Sequence, residues 1–293
     1  MRLDDLDPTS NARDLGRGGG GNGGGFGLLG LLPLLLGRKL GCGTIAIIGI
    51  VALAYMYLGG GGVQTGTQTP SSQQAQTGRA VPCDTPDELF ACRVMTLADT
   101  TWQQIFAESG KRYTPATIDF YDENAQSGCG AAQSAMGPFY CPSDDGVYID
   151  TSFFDELKNR YGADGDFARA YVIAHEMGHH VQDLLGTSGD VAQKQAQLGR
   201  TQGNALSVRL ELQADCYAGV FAARNRDRLD PGDIEEGMRA ANAIGDDTLQ
   251  RQAQGRVVPD SFTHGTSEQR MKWLRTGLQS GDPAACDTFS GAI

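Results

Sequence analysis

The sequence contains no pair of cysteines at CxxC spacing, no internal repeat and only four histidines. The absence of CxxC argues against a cysteine zinc finger. A basic cluster or an aromatic-rich motif of the kind that binds nucleic acid is also missing. Residues 79–293 carry 19 Lys and Arg against 31 Asp and Glu. We therefore expect an acidic folded domain with no nucleic-acid partner.

Charged residues are absent from residues 40–78. The first part of this stretch, residues 40–58, reads LGCGTIAIIGIVALAYMYL, and as a helix it just spans a hydrocarbon core. Arg38 and Lys39 precede it, so the positive-inside rule predicts a cytoplasmic N-terminus and an extracytoplasmic catalytic domain in the cell membrane. A cleaved signal peptide and a buried core helix are the alternatives. The length and late position of the run favour an uncleaved single-pass anchor.

Composition divides the chain into four parts. We predict a glycine-rich cytoplasmic tail over residues 1–39, the transmembrane anchor over 40–58, a flexible linker over 59–80 and the catalytic domain over 81–293. About 215 residues follow the linker, which is enough for one domain with a large core.

Periodicity and capping residues predict a mainly helical domain. Helices are expected at residues 86–109, at 166–185, within 191–226, from Pro231 onwards and at 267–278. Short strands are expected at residues 117–121 and 146–150. The predicted fold class is therefore α+β, mainly helical, with a small β-sheet and one preceding transmembrane helix.

Six of the seven cysteines lie beyond the predicted anchor, where disulfides persist on the topology proposed above. The pairings we consider are Cys129 with Cys141, which flank a loop, and more weakly Cys83 with Cys92 or either of these two with Cys286. Cys216 is predicted to be a small, buried apolar residue.

Residues 175–179 read HEMGH, an HExxH motif inside a strongly helical segment. Because residues four apart share one helix face, His175 and His179 can bind one ion. Zinc accepts such nitrogens together with a third protein ligand and a water, from which Glu176 can remove a proton. An exposed His/Glu turn is the alternative, and the apolar flanking residues disfavour it. The adjacent His180 is expected to face solvent or to support the ligands from outside.

A third ligand is needed, and two kinds of residue are available. One candidate is His264; the other is a carboxylate on a later helix, which Glu211 supplies in the run ELQAD. Asp215, one turn after Glu211, could accept the outer N–H of a metal-bound histidine and fix its orientation. A solvated pair of acids at this spacing is the alternative.

His264 has two further interpretations. It could stabilise the oxyanion that forms when water attacks a peptide carbonyl. Alternatively it caps or packs locally, with Arg270 anchoring its loop. Tyr148 and Tyr217 are weaker candidates for the oxyanion role.

The segments HEMGHHVQ, RLELQADCYAGV and THGTSEQRMKWL resemble the YpfJ-type neutral zinc metallopeptidase family from about residue 80 to the end. More distantly, HExxH with a later ExxxD is similar to the gluzincin peptidases. The resemblance implies a zincin-like domain with Zn²⁺ on His175, His179 and Glu211, catalysis by Glu176 and support from Asp215. It agrees with an N-terminal anchor. It also implies an edge strand that aligns substrate, for which residues 146–150 are our candidate.

Together these patterns predict a membrane-anchored zinc endopeptidase. Its expected partners are a peptide or protein substrate and, through its single helix, the membrane. A metal hydrolase acting on other bonds and a zinc-stabilised extracytoplasmic binding or scaffold protein are the alternatives. Glu176 favours catalysis, since a purely structural zinc site needs no general base.

Overall fold

The computed structural model describes residues 1–17 and 82–293. Its helices are α1 Pro86–Glu108, α2 Ser152–Asn159, α3 Asp166–Leu184, α4 Thr187–Gln195, α5 Arg200–Arg224, α6 Asp233–Ala243, α7 Asp246–Gln254 and α8 Ser267–Ser280. Its strands are β1 Ala12–Arg17, β2 Thr117–Asp122, β3 Asn124–Ser127, β4 Gly130–Gln133, β5 Phe139–Cys141 and β6 Gly146–Ile149. The prediction of a mainly helical domain with a small sheet is confirmed, although α2 and α7 were not predicted.

Four strands form one sheet in the order β1-β2-β6-β5. The pairs β1–β2 and β2–β6 are parallel, whereas β5 runs antiparallel to β6. Every residue of β6 is buried, as expected for a strand with neighbours on both sides. The interpretation of residues 146–150 as an edge strand is therefore wrong. On that side of the sheet, β5 is the edge, and it contacts α3.

Helix α3 is the centre of the domain, packed against α1, α5 and α6 and against the sheet. It meets α5 closely at Gly178, where an added Cβ would lie 2.9 Å from the Cα of Ala214. Helix α5 in turn meets α8 at Gly277, where an added Cβ would lie 1.9 Å from the carbonyl oxygen of Cys216. These glycines let three helices approach at backbone distance, which brings their polar side chains to one place.

The N-terminal residues belong to this domain. Strand β1 pairs with β2, the guanidinium of Arg13 bonds the fully buried carboxylate of Asp119, and Met1 and Leu3 lie in the main core. Residues 1–39 were expected to form a tail separate from the catalytic domain. Residues 1–17 instead share the sheet and the core of residues 82–293.

The predicted transmembrane helix and single-pass topology require correction. Among residues 1–17 and 82–293, no helix combines the length with the apolar character that a membrane crossing needs. The single-pass topology also needs residues 1–17 and 82–293 on opposite sides of a bilayer, whereas they share one sheet and one core. Residues 40–58, on which the prediction was based, lie outside the described residues.

Three disulfides join cysteines of the described residues: Cys83–Cys92, Cys129–Cys141 and Cys216–Cys286. The pairing of Cys129 with Cys141 is confirmed, as is the weaker choice of Cys83 with Cys92. The prediction for Cys216 is wrong, because this residue ties α5 to the C-terminal segment across 70 positions of sequence.

Candidate metal centre

Three side chains from two helices converge at the contact between α3 and α5. His175 and His179 come from α3, and Glu211 comes from α5. The Nε2 atom of His175 lies 3.1 Å from Oε2 of Glu211, and Nε2 of His179 lies 3.4 Å from Oε1 of Glu211. Each residue offers one ligand atom, and these three atoms all lie within 4.8 Å of one another. His264 is not part of this group.

This set of donors fits zinc. Two imidazoles and one carboxylate form the usual protein half of a catalytic zinc site, with one position left for water. Zinc–nitrogen bonds of about 2.0–2.1 Å in a tetrahedron place ligand atoms roughly 3.3 Å apart. The two distances to the Glu211 carboxylate are close to that value.

His175 is oriented by a buried ionic cluster. Its Nδ1 lies 2.9 Å from Oδ1 of Asp215, so an Nδ1–H donated to that carboxylate leaves Nε2 facing Glu211. Asp215 is fully buried and also accepts hydrogen bonds from Nε of Arg270 at 2.9 Å and from the Tyr171 hydroxyl at 2.5 Å. The sequence placed Asp215 near a histidine but did not predict the arginine and tyrosine that hold it.

The orientation of His179 depends on Gln182, which sequence reasoning missed. Gln182 is completely buried, and its amide nitrogen donates to the carbonyl of Leu210 at 2.6 Å and to Oε1 of Gln213 at 3.2 Å. Its oxygen therefore faces Nδ1 of His179, at 2.8 Å. Since an amide oxygen only accepts, His179 carries its proton on Nδ1 and keeps Nε2 for a metal. The i,i+3 spacing of Gln182 from His179 was the available signal.

Electrostatic interactions hold Glu211 in its charged form and favour the protonated form of His175. Burial alone would raise the pKa of Glu211, but the charge of His179 and hydrogen bonds from both histidines hold that pKa well below its usual value. Burial lowers the pKa of His175, yet the charge and hydrogen bond of Asp215 and the hydrogen bond of Glu211 raise it to about 10. A metal that binds here must displace that proton.

The three ligands line a cleft of about 760 Å³. Glu176, the second residue of the motif, also lines this cleft and is 7 % exposed. Glu176 follows His175 directly on α3 and is not one of the three residues of the ligand group.

His264 lines the same cleft from the loop before α8, with about half of its side chain exposed. Its Nδ1 lies 3.2 Å from Oδ1 of Asp246, whose other oxygen accepts the backbone N–H groups of Thr263, His264 and Gly265. The hydrogen bond that His264 donates to Asp246 raises the pKa of His264 despite partial burial. Asp246, not Arg270, is thus the anchor of this loop.

The remaining candidates lie elsewhere. Tyr148 and Tyr217 are not among the described residues that line the cleft. His180 does not face solvent: it is fully buried, with Nε2 2.7 Å from the carbonyl of Thr114 and Nδ1 3.1 Å from the hydroxyl of Tyr140. Because Tyr140 is on β5, His180 links α3 to the edge strand beside the cleft.

An HExxH helix, a glutamate from a second helix and an open cleft are the arrangement of zinc metallopeptidases. The chain belongs to the family described as "Putative neutral zinc metallopeptidase", whose sequence model matches residues 1–289. The resemblance drawn from the three motif segments is thereby confirmed.

Similar proteins occur in Escherichia and in Mycobacterium. The chain is 49 % identical to the uncharacterized protein YpfJ of Escherichia coli K12 over 253 residues, which cover 86 % of this chain and 88 % of that protein. It is 42 % identical to uncharacterized proteins of Mycobacterium bovis and Mycobacterium tuberculosis over 217 residues, 69 % of this chain and 71 % of theirs. No solved structure matches the chain.

Proposed function

We propose that this protein is a zinc-dependent endopeptidase in which His175, His179 and Glu211 hold the metal and Glu176 is the general base. The observation that carries the proposal is the meeting of the two imidazoles with the Glu211 carboxylate in a cleft that Glu176 also lines. A structural zinc site is normally closed by four protein ligands, whereas this group offers three.

Each residue then has a defined task. Zinc, when bound, would lower the pKa of a water molecule and polarise the carbonyl under attack. Glu176 takes the proton of the attacking water and passes it to the departing amine. His264, kept in place by Asp246, offers a proton or a hydrogen bond to the carbonyl oxygen as negative charge develops on it. Asp215 and Gln182 keep the two histidines in the tautomers that direct Nε2 towards the metal.

The edge strand β5 provides a place for the substrate. An extended peptide can add to the open edge of a sheet through backbone hydrogen bonds. Residues 135–140, which lead into and include most of β5, line the cleft together with the ligands. This arrangement favours an extended polypeptide as the substrate.

The decisive experiment compares the zinc-loaded full-length protein with its Glu176→Gln variant on a mixed peptide library analysed by mass spectrometry. The variant should retain one zinc per chain and lose at least about a hundredfold in cleavage rate, the usual effect of removing a general base. Glu268→Gln, at an exposed position in the first turn of α8, is the matched control and should cleave normally.

Other outcomes would point to the alternative functions. Undiminished cleavage by Glu176→Gln would refute its role as base. A wild-type protein that binds zinc and cleaves no peptide would be a binding protein or a hydrolase of other bonds.

A further inference from the structure

Large apolar side chains line part of the cleft and are called the apolar wall below. Seven large side chains form it, namely Met136, Phe139, Phe153, Val172, Leu210, Ile244 and Leu249. They come from the segment around β5, from α2, α3 and α5 and from the region of α6 and α7. Val172 lies one turn before Glu176 on α3, so the apolar wall begins next to the proposed general base.

Met136 is the most exposed residue of the apolar wall. Its side chain is 60 % exposed, more than any other large apolar side chain among the described residues. The neighbouring Gly137 lies beside the ring of Phe153, where an added Cβ would be 3.6 Å from the ring. Phe139 is fixed by stacking on Tyr148 with ring centroids 5.1 Å apart. Apolar side chains held open towards a cleft commonly mark a surface that a ligand covers.

The two arginines that line the cleft are already paired. Arg160 pairs with Glu156 one turn earlier on α2, and the Arg270 side chain is fully engaged by Asp215. Apart from the histidines and a bound metal, the described lining of the cleft therefore holds no cation that is free to pair with an acidic side chain of a substrate. The formal net charge of the protein is −11, a value that includes Glu176 and Glu211, and this acidic balance also disfavours acidic substrates.

We infer that the cleft selects extended polypeptide segments with large apolar side chains, such as Leu, Phe or Met, next to the cleaved bond and rejects acidic ones. This inference rests on the proposed function and specifies its substrate class. Apolar side chains of a substrate are stabilised when they leave water and pack against Met136 and Phe153. Acidic side chains placed beside Met136 and Phe153 would lose hydration and gain no ion pair there, since Arg160 and Arg270 are already paired.

Binding and cleavage are measured separately to test this inference. Two fluorescent decapeptides share their flanking residues and differ only in a central Phe-Leu or Asp-Asp pair. By fluorescence anisotropy, zinc-loaded Glu176→Gln protein should bind the Phe-Leu peptide at least about tenfold more tightly, the scale of burying one large apolar side chain. Wild-type protein digesting a peptide library should cut mainly beside Leu, Phe, Met or Ile.

A pair of charge substitutions then locates the subsite. Met136→Glu changes an exposed side chain and so leaves the fold intact; it should weaken binding of the Phe-Leu peptide by roughly tenfold. The control Leu198→Glu places the same charge at a side chain that is 42 % exposed and lies outside the cleft, and it should leave binding unchanged.

The outcomes separate this inference from the proposed function. Selective binding of the Phe-Leu peptide without cleavage by the wild type would refute the endopeptidase proposal and support the apolar subsite. Cleavage without preference would overturn the subsite and support the peptidase. Equal effects of Met136→Glu and Leu198→Glu on binding would overturn the subsite, and cleavage by the wild type would still decide the peptidase proposal.

Discussion

The amide oxygen of Gln182 lies 2.8 Å from Nδ1 of His179, and the orientation of that amide is fixed by donation to the carbonyl of Leu210. The neutral Gln182 thus orients His179 in the way that the charged Asp215 orients His175. From Gln182 the hydrogen bonds continue through Gln213 to the carbonyl of Cys286. The C-terminal segment therefore supports one of the proposed ligands, although it lies far from them in sequence.

Replacing Gln182 should weaken the metal site. Gln182→Leu removes the acceptor for His179 while keeping a side chain of similar size, so zinc affinity should fall about tenfold to a hundredfold. Competition with a chromophoric chelator measures this affinity. Gln193→Leu, at an exposed position of α4, is the control and should bind zinc like the wild type. Equal affinities in both variants would show that Gln182 does not orient the ligand.

Substitution of Glu211 should lower the metal content, whereas substitution of His264 should lower only the turnover. Glu211→Ala deletes a donor of the three-residue group, so the purified variant should contain much less than one zinc per chain by elemental analysis. His264→Ala should retain the metal and lose roughly ten- to a thousandfold in turnover, as for an oxyanion donor. Full zinc in Glu211→Ala would move the third ligand to another residue.

The glycine at the contact of α3 and α5 should not tolerate a methyl group. In Gly178→Ala the Cβ would meet the backbone of Ala214 at 2.9 Å, and the helices must separate, at about 1–3 kcal/mol in the free energy of unfolding. Gly189→Ala in α4 has nothing within 4 Å and should instead stabilise the protein by about 0.5–1 kcal/mol. Urea denaturation measures both variants. A stable Gly178→Ala protein would contradict the close approach.

Two of the disulfides should contribute unequally to stability. The Cys216–Cys286 bridge closes a loop of 70 residues and Cys83–Cys92 one of 9. By loop entropy, replacing the first pair with alanines should lower the free energy of unfolding by about 4 kcal/mol, and the second by about 3 kcal/mol. Urea titrations of the two double variants test the order. A larger loss for Cys83–Cys92 would show that chain entropy does not dominate.

Local spacing determined much of the candidate site in advance. His175 and His179 share a face because they are four residues apart on a helix, and the same spacing places Glu211 and Asp215 together. Helix starts were equally accessible: Thr85 accepts from the backbone of Glu88, and Thr266 forms a capping box with Gln269. Each of these features lies within one or two turns of helix, where sequence and geometry are directly linked.

Contacts between segments that are far apart in the chain could not be predicted from local sequence spacing. Arg270 meets Asp215 across 55 residues, Gln213 meets Cys286 across 73, and Arg13 reaches Asp119 across 106. The edge position of β5 and the place of β1 in the sheet likewise follow from strand order, which periodicity does not specify.

By itself, then, the sequence determined the HExxH helix, the acidic pair and the mainly helical class, because hydrophobic periodicity and ligand spacing repeat every few residues. Only the tertiary structure decided which helices meet, which groups orient the histidines and that residues 1–17 share a core with residues 82–293. The physical reason is that burial of apolar surface and pairing of buried charges depend on the whole packed chain.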